Sequence, residues 1–222
     1  MKEQLVDPLD KPMSYFKWMR EEMLPFIPDD VEKILEIGCG SGAFASLLKQ
    51  NRNIEMWGMD IHEEAVKDAH DVFDKVIINN IEKDVVDLPI NYFDCILFND
   101  VLEHLAYPWN VLSDIRKYIR HDGYVVASIP NVRYYENLKK LLFNKDWKYE
   151  TKGILDITHL RFFTEKSIVN MFEKSGYRVI QIKGINSRYR SKKFRLMNLL
   201  LGGWLDDINY CQFACVAQPI RD

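Results

Sequence analysis

From Ile34 onward the chain alternates short apolar runs with stretches patterned to bury one face. Lys33–Ile37, Ile54–Met59, Lys75–Ile78, Cys95–Phe98 and Tyr124–Ile129 are apolar-rich runs of strand length. They are too short for buried helices and read as strands covered on both faces. Between them lie Ala43–Gln50, Glu63–Val72 and Pro108–Arg120. In the last, Val111, Leu112, Ile115 and Ile119 recur at helical spacing. Strands alternating with helices predict a parallel sheet with helices on both faces. Upstream, Tyr15–Phe26 reads as an amphipathic helix ending at Pro25 and Pro28, within an N-terminal extension of residues 1–30.

The pattern changes after residue 160. Thr164–Ser175 reads as a helix with Thr164 as its N-cap and Gly176 as its stop. Strands Tyr177–Lys183 and Gln212–Ala217 follow with no ordinary crossover helix between them, which predicts an antiparallel pair at the end of the sheet. The chain has no internal repeat, and residues 1–222 read as one α/β domain. Segments 131–160 and 185–208 read as insertions that line or cover an acceptor site.

Composition narrows the class without naming it. The 222 residues are 47% hydrophobic and 28% charged, ordinary for a globular protein, and carry a net charge of −3. That balance gives no broad basic surface for nucleic acid. None of Cys39, Cys95, Cys211 and Cys215 forms a Cys-x-x-Cys pair, so they read as reduced core residues of a cytoplasmic protein. The start Met1-Lys2-Glu3-Gln4 has no apolar run behind it. No stretch of 18 apolar residues occurs, so neither a signal peptide nor a membrane span is expected.

The first strand runs into Glu36-Ile37-Gly38-Cys39-Gly40-Ser41-Gly42, and a helix follows. Glycines at a strand-to-helix turn permit positive φ and let a ligand approach the backbone. Gly38-x-Gly40-x-x-Ala43 alone also fits a dinucleotide fingerprint. Glu36 separates the two: a carboxylate there suits the amino and sulfonium groups of S-adenosylmethionine and repels a pyrophosphate. Asp60 closes the second strand, 18 residues after Gly42. An acid at that place accepts hydrogen bonds from a ribose diol; it also suits the cap of the helix beginning near His62.

Ile34-Leu35-Glu36-Ile37-Gly38-Cys39-Gly40-Ser41-Gly42 resembles motif I of class I S-adenosylmethionine-dependent methyltransferases. Phe93-Asp94-Cys95-Ile96-Leu97-Phe98-Asn99-Asp100-Val101-Leu102-Glu103-His104-Leu105 resembles their fourth strand and the following loop. Asp122-Gly123-Tyr124-Val125-Val126-Ala127-Ser128-Ile129-Pro130-Asn131-Val132 resembles the fifth. The likeness covers about residues 31–184 and is similar to the ubiquinone-type O-methyltransferases. It also extends to bacterial proteins sharing Gly153-Ile154-Leu155-Asp156-x-Thr158-His159-Leu160-Arg161-Phe162-Phe163-Thr164. The resemblance implies a Rossmann-like seven-stranded mixed sheet, order 3-2-1-4-5-7-6 with strand 7 antiparallel, and S-adenosylmethionine as cofactor. It implies that Gly38, Cys39, Gly40 and Gly42 pack under the methionine part and that Asp60 binds the ribose. Ile61 would flank the adenine. Asn80, where many relatives carry Asp, and Ile81 hold the adenine-contact position. Asn99 would lie near the methionine part.

A hydroxyl acceptor needs its proton removed. His104, after Asp100 and Glu103 at the carboxyl end of strand four, and His159, in a loop with Asp156 and Arg161, are the candidate bases. If a helix began near Asp100, then Asp100, Glu103 and His104 would share one face. Some small-RNA 2′-O-methyltransferases and ubiquinone-type enzymes carry Glu-x-x-Glu-His as a metal motif here, and the RNA enzymes add a later histidine whose counterpart would be His159. Asp100 stands in for the first Glu, and a divalent metal is the less favoured reading. Tyr134 and Tyr135 read as the start of a lid helix, with Trp147 and Tyr149 as pocket or insertion core.

Segment 183–205 joins six positive charges in residues 183–195 to the apolar run Leu196–Leu205. The preferred reading is a helix burying its apolar part on the domain or in a homodimer. The alternative is peripheral contact with the inner face of a membrane or with a lipid-linked acceptor. The leading function is O-methylation of a small, sugar, quinone-like or lipid-linked acceptor. An NAD(P)-dependent oxidoreductase and a catalytically silent methyltransferase-fold partner are the alternatives.

Overall fold

A computed structural model describes residues 18–84, 86–187 and 198–221. Seven strands form one sheet: β1 (Lys33–Ile37), β2 (Glu55–Asp60), β3 (Lys75–Ile78), β4 (Phe93–Asn99), β5 (Ile119–Pro130), β6 (Tyr177–Ser187) and β7 (Tyr210–Pro219). Their order is β3-β2-β1-β4-β5-β7-β6. β1 to β5 are mutually parallel, and β7 runs antiparallel to both β5 and β6. The helices are α1 (Ala43–Lys49), α2 (Glu63–Val66), α3 (Pro108–Ile115), α4 (Tyr135–Lys139) and α5 (Glu165–Lys174).

Strand alternation divides the core between the two faces. On β4, Ile96 and Phe98 join a cluster with Leu112 and Ile115 of α3 and Ile168 and Phe172 of α5. Cys95 and Leu97 point the other way, to Phe44 and Leu48 of α1 and to Met23 and Phe26. Thr164 caps α5 in a reciprocal capping box with Ser167. Gly176 at φ +82° turns the chain into β6. There Tyr177 is fully buried, and its hydroxyl donates to the Leu112 carbonyl at 2.7 Å.

Several boundaries depart from expectation for physical reasons. β5 begins at Ile119 and not Tyr124, because Ile119 pairs with Phe93 while Arg120, His121 and Asp122 are exposed and carry no apolar signal. Helix-like stretch 63–72 holds only α2 and a 3₁₀ turn at Lys67–Ala69, and α3 tightens into a 3₁₀ turn at Arg116–Tyr118. The expected helix Tyr15–Phe26 is a 3₁₀ turn at Glu21–Phe26 containing Pro25; residues 15–17 lie outside the described residues. Arg20, at φ 53°, breaks any helix there. The four cysteines are free, and three are buried. Among the described residues, no helix is long and apolar enough to cross a membrane.

Candidate functional site

Two groups of residues meet at the carboxyl end of the parallel strands. The first surrounds the glycine loop. Gly38, Gly40 and Gly42 all have positive φ, at 73°, 51° and 79°. The N–H groups of Gly38 and Cys39 both donate to the Met59 carbonyl, at 2.7 and 3.2 Å, which pins the loop to the end of β2. A Cβ on Gly38 would overlap Cγ2 of Val101, so the loop after β4 packs directly on this backbone. Burial pushes the Cys39 thiol far above its ordinary range, which leaves it a core group and not a nucleophile.

Glu36 is 3% exposed at this loop. Its Oε1 accepts from Asn99 Nδ2 at 3.1 Å, while Oε2 is buried without a hydrogen-bond partner. Burial raises its carboxyl to about 8, against the Asn99 hydrogen bond, which lowers it; the neighbouring Asp60 raises it further. Asp60 Oδ2 accepts from Gly40 N and Oδ1 from His62 N, each at 2.9 Å. Asp60 therefore ties the glycine loop to the turn entering α2, and both oxygens keep a second acceptor site. Ile61 beside it is exposed. Asn80 closes a turn through Glu82 N to Oδ1 at 3.0 Å, and Ile81 packs on the core.

The second group follows β4. Asp100 sits at φ 55°, and the segment after it is a single 3₁₀ turn, Leu102–His104. The expected helix face carrying Asp100, Glu103 and His104 is therefore absent. Asp100 is turned away, accepting from Ser128 Oγ at 2.7 Å, Gln212 Nε2 at 2.7 Å and Arg20. His159, from a loop 55 residues later, takes its place: the His104 and His159 rings meet edge to face with centroids 4.6 Å apart. Glu103 is 1% exposed, both its carboxyl oxygens lack a hydrogen-bond partner, and burial raises it to about 8. His159 Nε2 lies 4.0 Å from Glu103 Oε1. Glu103, His104 and His159 each present a ligand-type atom within 4.8 Å of the others.

The ring tautomers follow from the partners. His104 Nδ1 is 3.2 Å from the Thr158 carbonyl, and His159 Nδ1 is 3.0 Å from the Ile154 carbonyl. A carbonyl only accepts, so each contact favours the neutral ring with its proton on Nδ1 and Nε2 as the basic atom. Phe162 stands beside His159 at 6.4 Å, and Trp147 and Tyr149 stack on Phe162 at 5.1 and 6.4 Å. The aromatic residues of insertion 131–160 thus border the histidine pair.

Sequence reasoning missed Arg20, Gln212 and Ser128, which surround Asp100 from separations of 80, 112 and 28 residues. No local pattern carries that information. In segment 183–205, residues 188–197 lie outside the described residues. Beyond them, Leu199, Leu200 and Trp204 are 75%, 80% and 73% exposed. The expectation that the helix buries its apolar part on the domain fails for these three side chains. Arg133 lies over the Trp204 ring at 6.0 Å and pairs with Asp207 at 2.5 Å, fixing this turn beside the start of α4.

Residues 14–182 match a family model described as a methyltransferase domain. The chain is 25% identical over 187 residues to the ubiquinone biosynthesis O-methyltransferase of Burkholderia vietnamiensis, covering 81% of this chain and 76% of that protein. Its counterpart in Neisseria meningitidis is 23% identical over 192 residues, with coverages of 83% and 76%. The crystal structure of a SAM-dependent methyltransferase from Archaeoglobus fulgidus superposes with a TM-score of 0.67 at 22% identity, covering 95% of this chain and 96% of that one.

Proposed function

Because the chain belongs to the methyltransferase-domain family and is an S-adenosylmethionine-dependent methyltransferase, we propose that it methylates an oxygen of a small, sugar, quinone-like or lipid-linked acceptor. The observation that carries the cofactor half is Glu36. A fully buried carboxyl oxygen with no partner is costly unless a ligand completes it. The cationic amino group of S-adenosylmethionine fits that need. The spare acceptor sites of Asp60 suit ribose hydroxyls, and exposed Ile61 offers an apolar face to an adenine. Asn80 and Ile81 stand next in line, with Asn99 holding Glu36 in place. These features make an oxidoreductase the poorer account.

When bound, the cofactor supplies an electrophilic methyl group on sulfur. The protein's own work is orientation, exclusion of water and removal of the acceptor proton. Nε2 of His104 or of His159 is the atom suited to take that proton, since each Nδ1 is committed to a carbonyl. The similarity to ubiquinone biosynthesis O-methyltransferases supports oxygen as the acceptor atom.

The unpartnered carboxylate of Glu103 favours a second reading, in which a divalent ion assists. Two imidazoles and a carboxylate suit a borderline transition metal, and rings tied through Nδ1 to carbonyls are the usual outer support of such ligands. Glu103, His104 and His159 would hold the ion, and it would supply Lewis acidity toward an acceptor hydroxyl.

The test is a transfer screen with methyl-labelled cofactor against small-molecule and lipid extracts, the product being identified by mass. The expected result is label on an oxygen of one such compound. Transfer to nitrogen or carbon alone, or no transfer from any extract, overturns the acceptor reading. Loss of transfer on chelation with recovery on adding a divalent cation selects the metal-assisted form.

A further inference from the structure

The loop carrying His159 holds a second device that the reading above leaves unused. Asp156 is 1% exposed, and its Oδ1 accepts from Thr158 N at 3.0 Å and from the Thr158 hydroxyl at 2.8 Å. Because Oδ1 already accepts a backbone N–H, it is a proton-free oxygen, and the Thr158 hydroxyl is the donor of the pair. The lone pairs of that hydroxyl then face His104 Nδ1, 3.1 Å away. The Thr158 carbonyl, 3.2 Å from the same nitrogen, belongs to the Thr158–His159 peptide, whose N–H donates to the Asp156 carbonyl at 3.0 Å. The two acceptors at Nδ1 are therefore held by one buried residue, the hydroxyl through the Asp156 side chain and the carbonyl through its backbone. Asp156 is itself anchored, its N–H donating to Gly153 O at 3.1 Å and its carbonyl accepting from His159 N at 3.0 Å.

We propose that Asp156, acting through Thr158, is a positioning residue that fixes His104 with its proton on Nδ1 and its basic lone pair on Nε2. The chain Asp156–Thr158–His104 does the work of a carboxylate–imidazole pair with a hydroxyl inserted between the two. The wrong tautomer of a catalytic imidazole cannot accept a proton at the reacting end, which is why such orienting groups matter to rate. The inference rests on His104 as a base of the proposed reaction, but its test does not.

The experiment reads ring tautomers directly, on full-length protein labelled with ¹⁵N in its five histidines. Spectra are taken at pH about 8.5, roughly two units above the ordinary imidazole value of about 6.5. His104→Gln assigns the ring. In the wild type, Nδ1 is expected as a pyrrole-type nitrogen and Nε2 as a pyridine-type one. Thr158→Val and Asp156→Ala should each draw the two resonances toward each other as the tautomers mix. Thr158→Ser and Asp156→Asn, which keep a hydroxyl and an acceptor oxygen, should restore the wild-type pattern. A wild-type proton on Nε2, or an unchanged tautomer in either disrupting variant, overturns the inference. If Asp156→Ala does not fold, the Thr158→Val and Thr158→Ser pair decides alone. Turnover of His104→Ala tests the base separately, so failure of the two ideas is distinguishable.

Discussion

The histidine pair is where the residue scale decides most. His104 and His159 come from segments 55 residues apart, yet their rings touch, and each spends its Nδ1 proton on a backbone carbonyl. Either ring therefore offers Nε2 to an acceptor proton, and the choice between them is experimental. Removing the true base should lower turnover by roughly 10²–10⁴, the usual worth of a general base. Cofactor affinity should change little, because the glycine-loop residues lie in the other group. The measurement is kcat and cofactor Kd for His104→Ala and His159→Ala. Wild-type turnover in both variants would remove the histidines from the chemistry.

At the scale of elements, the glycine loop and the loop after β4 fit each other closely. Gly38 is bound by its positive φ and by Val101, which fills the space where a side chain would begin. Gly38→Ala should destabilise the protein by about 1–3 kcal/mol from backbone strain, with a further cost from the overlap. Adding Val101→Ala should recover the overlap but not the strain, a partial rescue visible in denaturant unfolding. Full rescue would show that φ at residue 38 carries no cost. The turn at 198–205 presents Leu199, Leu200 and Trp204 to solvent, and in sequence it follows the basic run 183–195. Salt-sensitive co-sedimentation with anionic vesicles, weakened by Trp204→Ala, is the expected outcome. Equal and negligible binding to anionic and neutral vesicles at low and high salt would assign these side chains to a protein contact instead.

Across the whole molecule, two buried carboxyls couple the site to stability. Glu36 and Glu103 are both raised to about 8 by burial, far above an unfolded value near 4.5. The native state thus keeps protons that the unfolded chain has lost between those values. The stability these groups contribute is present below about 4.5 and is lost as pH rises through about 8. Glu36→Gln, which cannot ionise, should leave the unliganded protein progressively more stable than wild type as pH rises across that window, while weakening cofactor binding. A constant difference in melting temperature from pH 5 to pH about 9 would contradict the burial of an unpaired Glu36.

Legibility in the sequence follows the same scales. The strands β1 to β4 were readable because their apolar runs are local patterns, while the order of the sheet came from the resemblance carried by the motif around Gly38–Gly42 and the fourth and fifth strands. The early start of β5 was not readable, since Arg120-His121-Asp122 lie in the register shift between the Phe93–Ile119 and Cys95–Tyr124 pairs and carry no apolar signal. Glu36, Asp60, His104 and His159 stood out by residue type at strand ends and loops. The partners that orient them, Asn99 for Glu36 and Thr158 for His104, come from other parts of the chain. Asp100 misled because helical spacing assumes a helix, and its φ of 55° prevents one.

The central claim is that this sheet end is built for a cationic nucleoside cofactor and not for a dinucleotide. Isothermal titration calorimetry with S-adenosylhomocysteine and with NAD, on wild type and Glu36→Gln, tests it most directly. Saturable binding of S-adenosylhomocysteine, weakened by the substitution, and no heat with NAD are the expected results. Binding of NAD without binding of S-adenosylhomocysteine would contradict it.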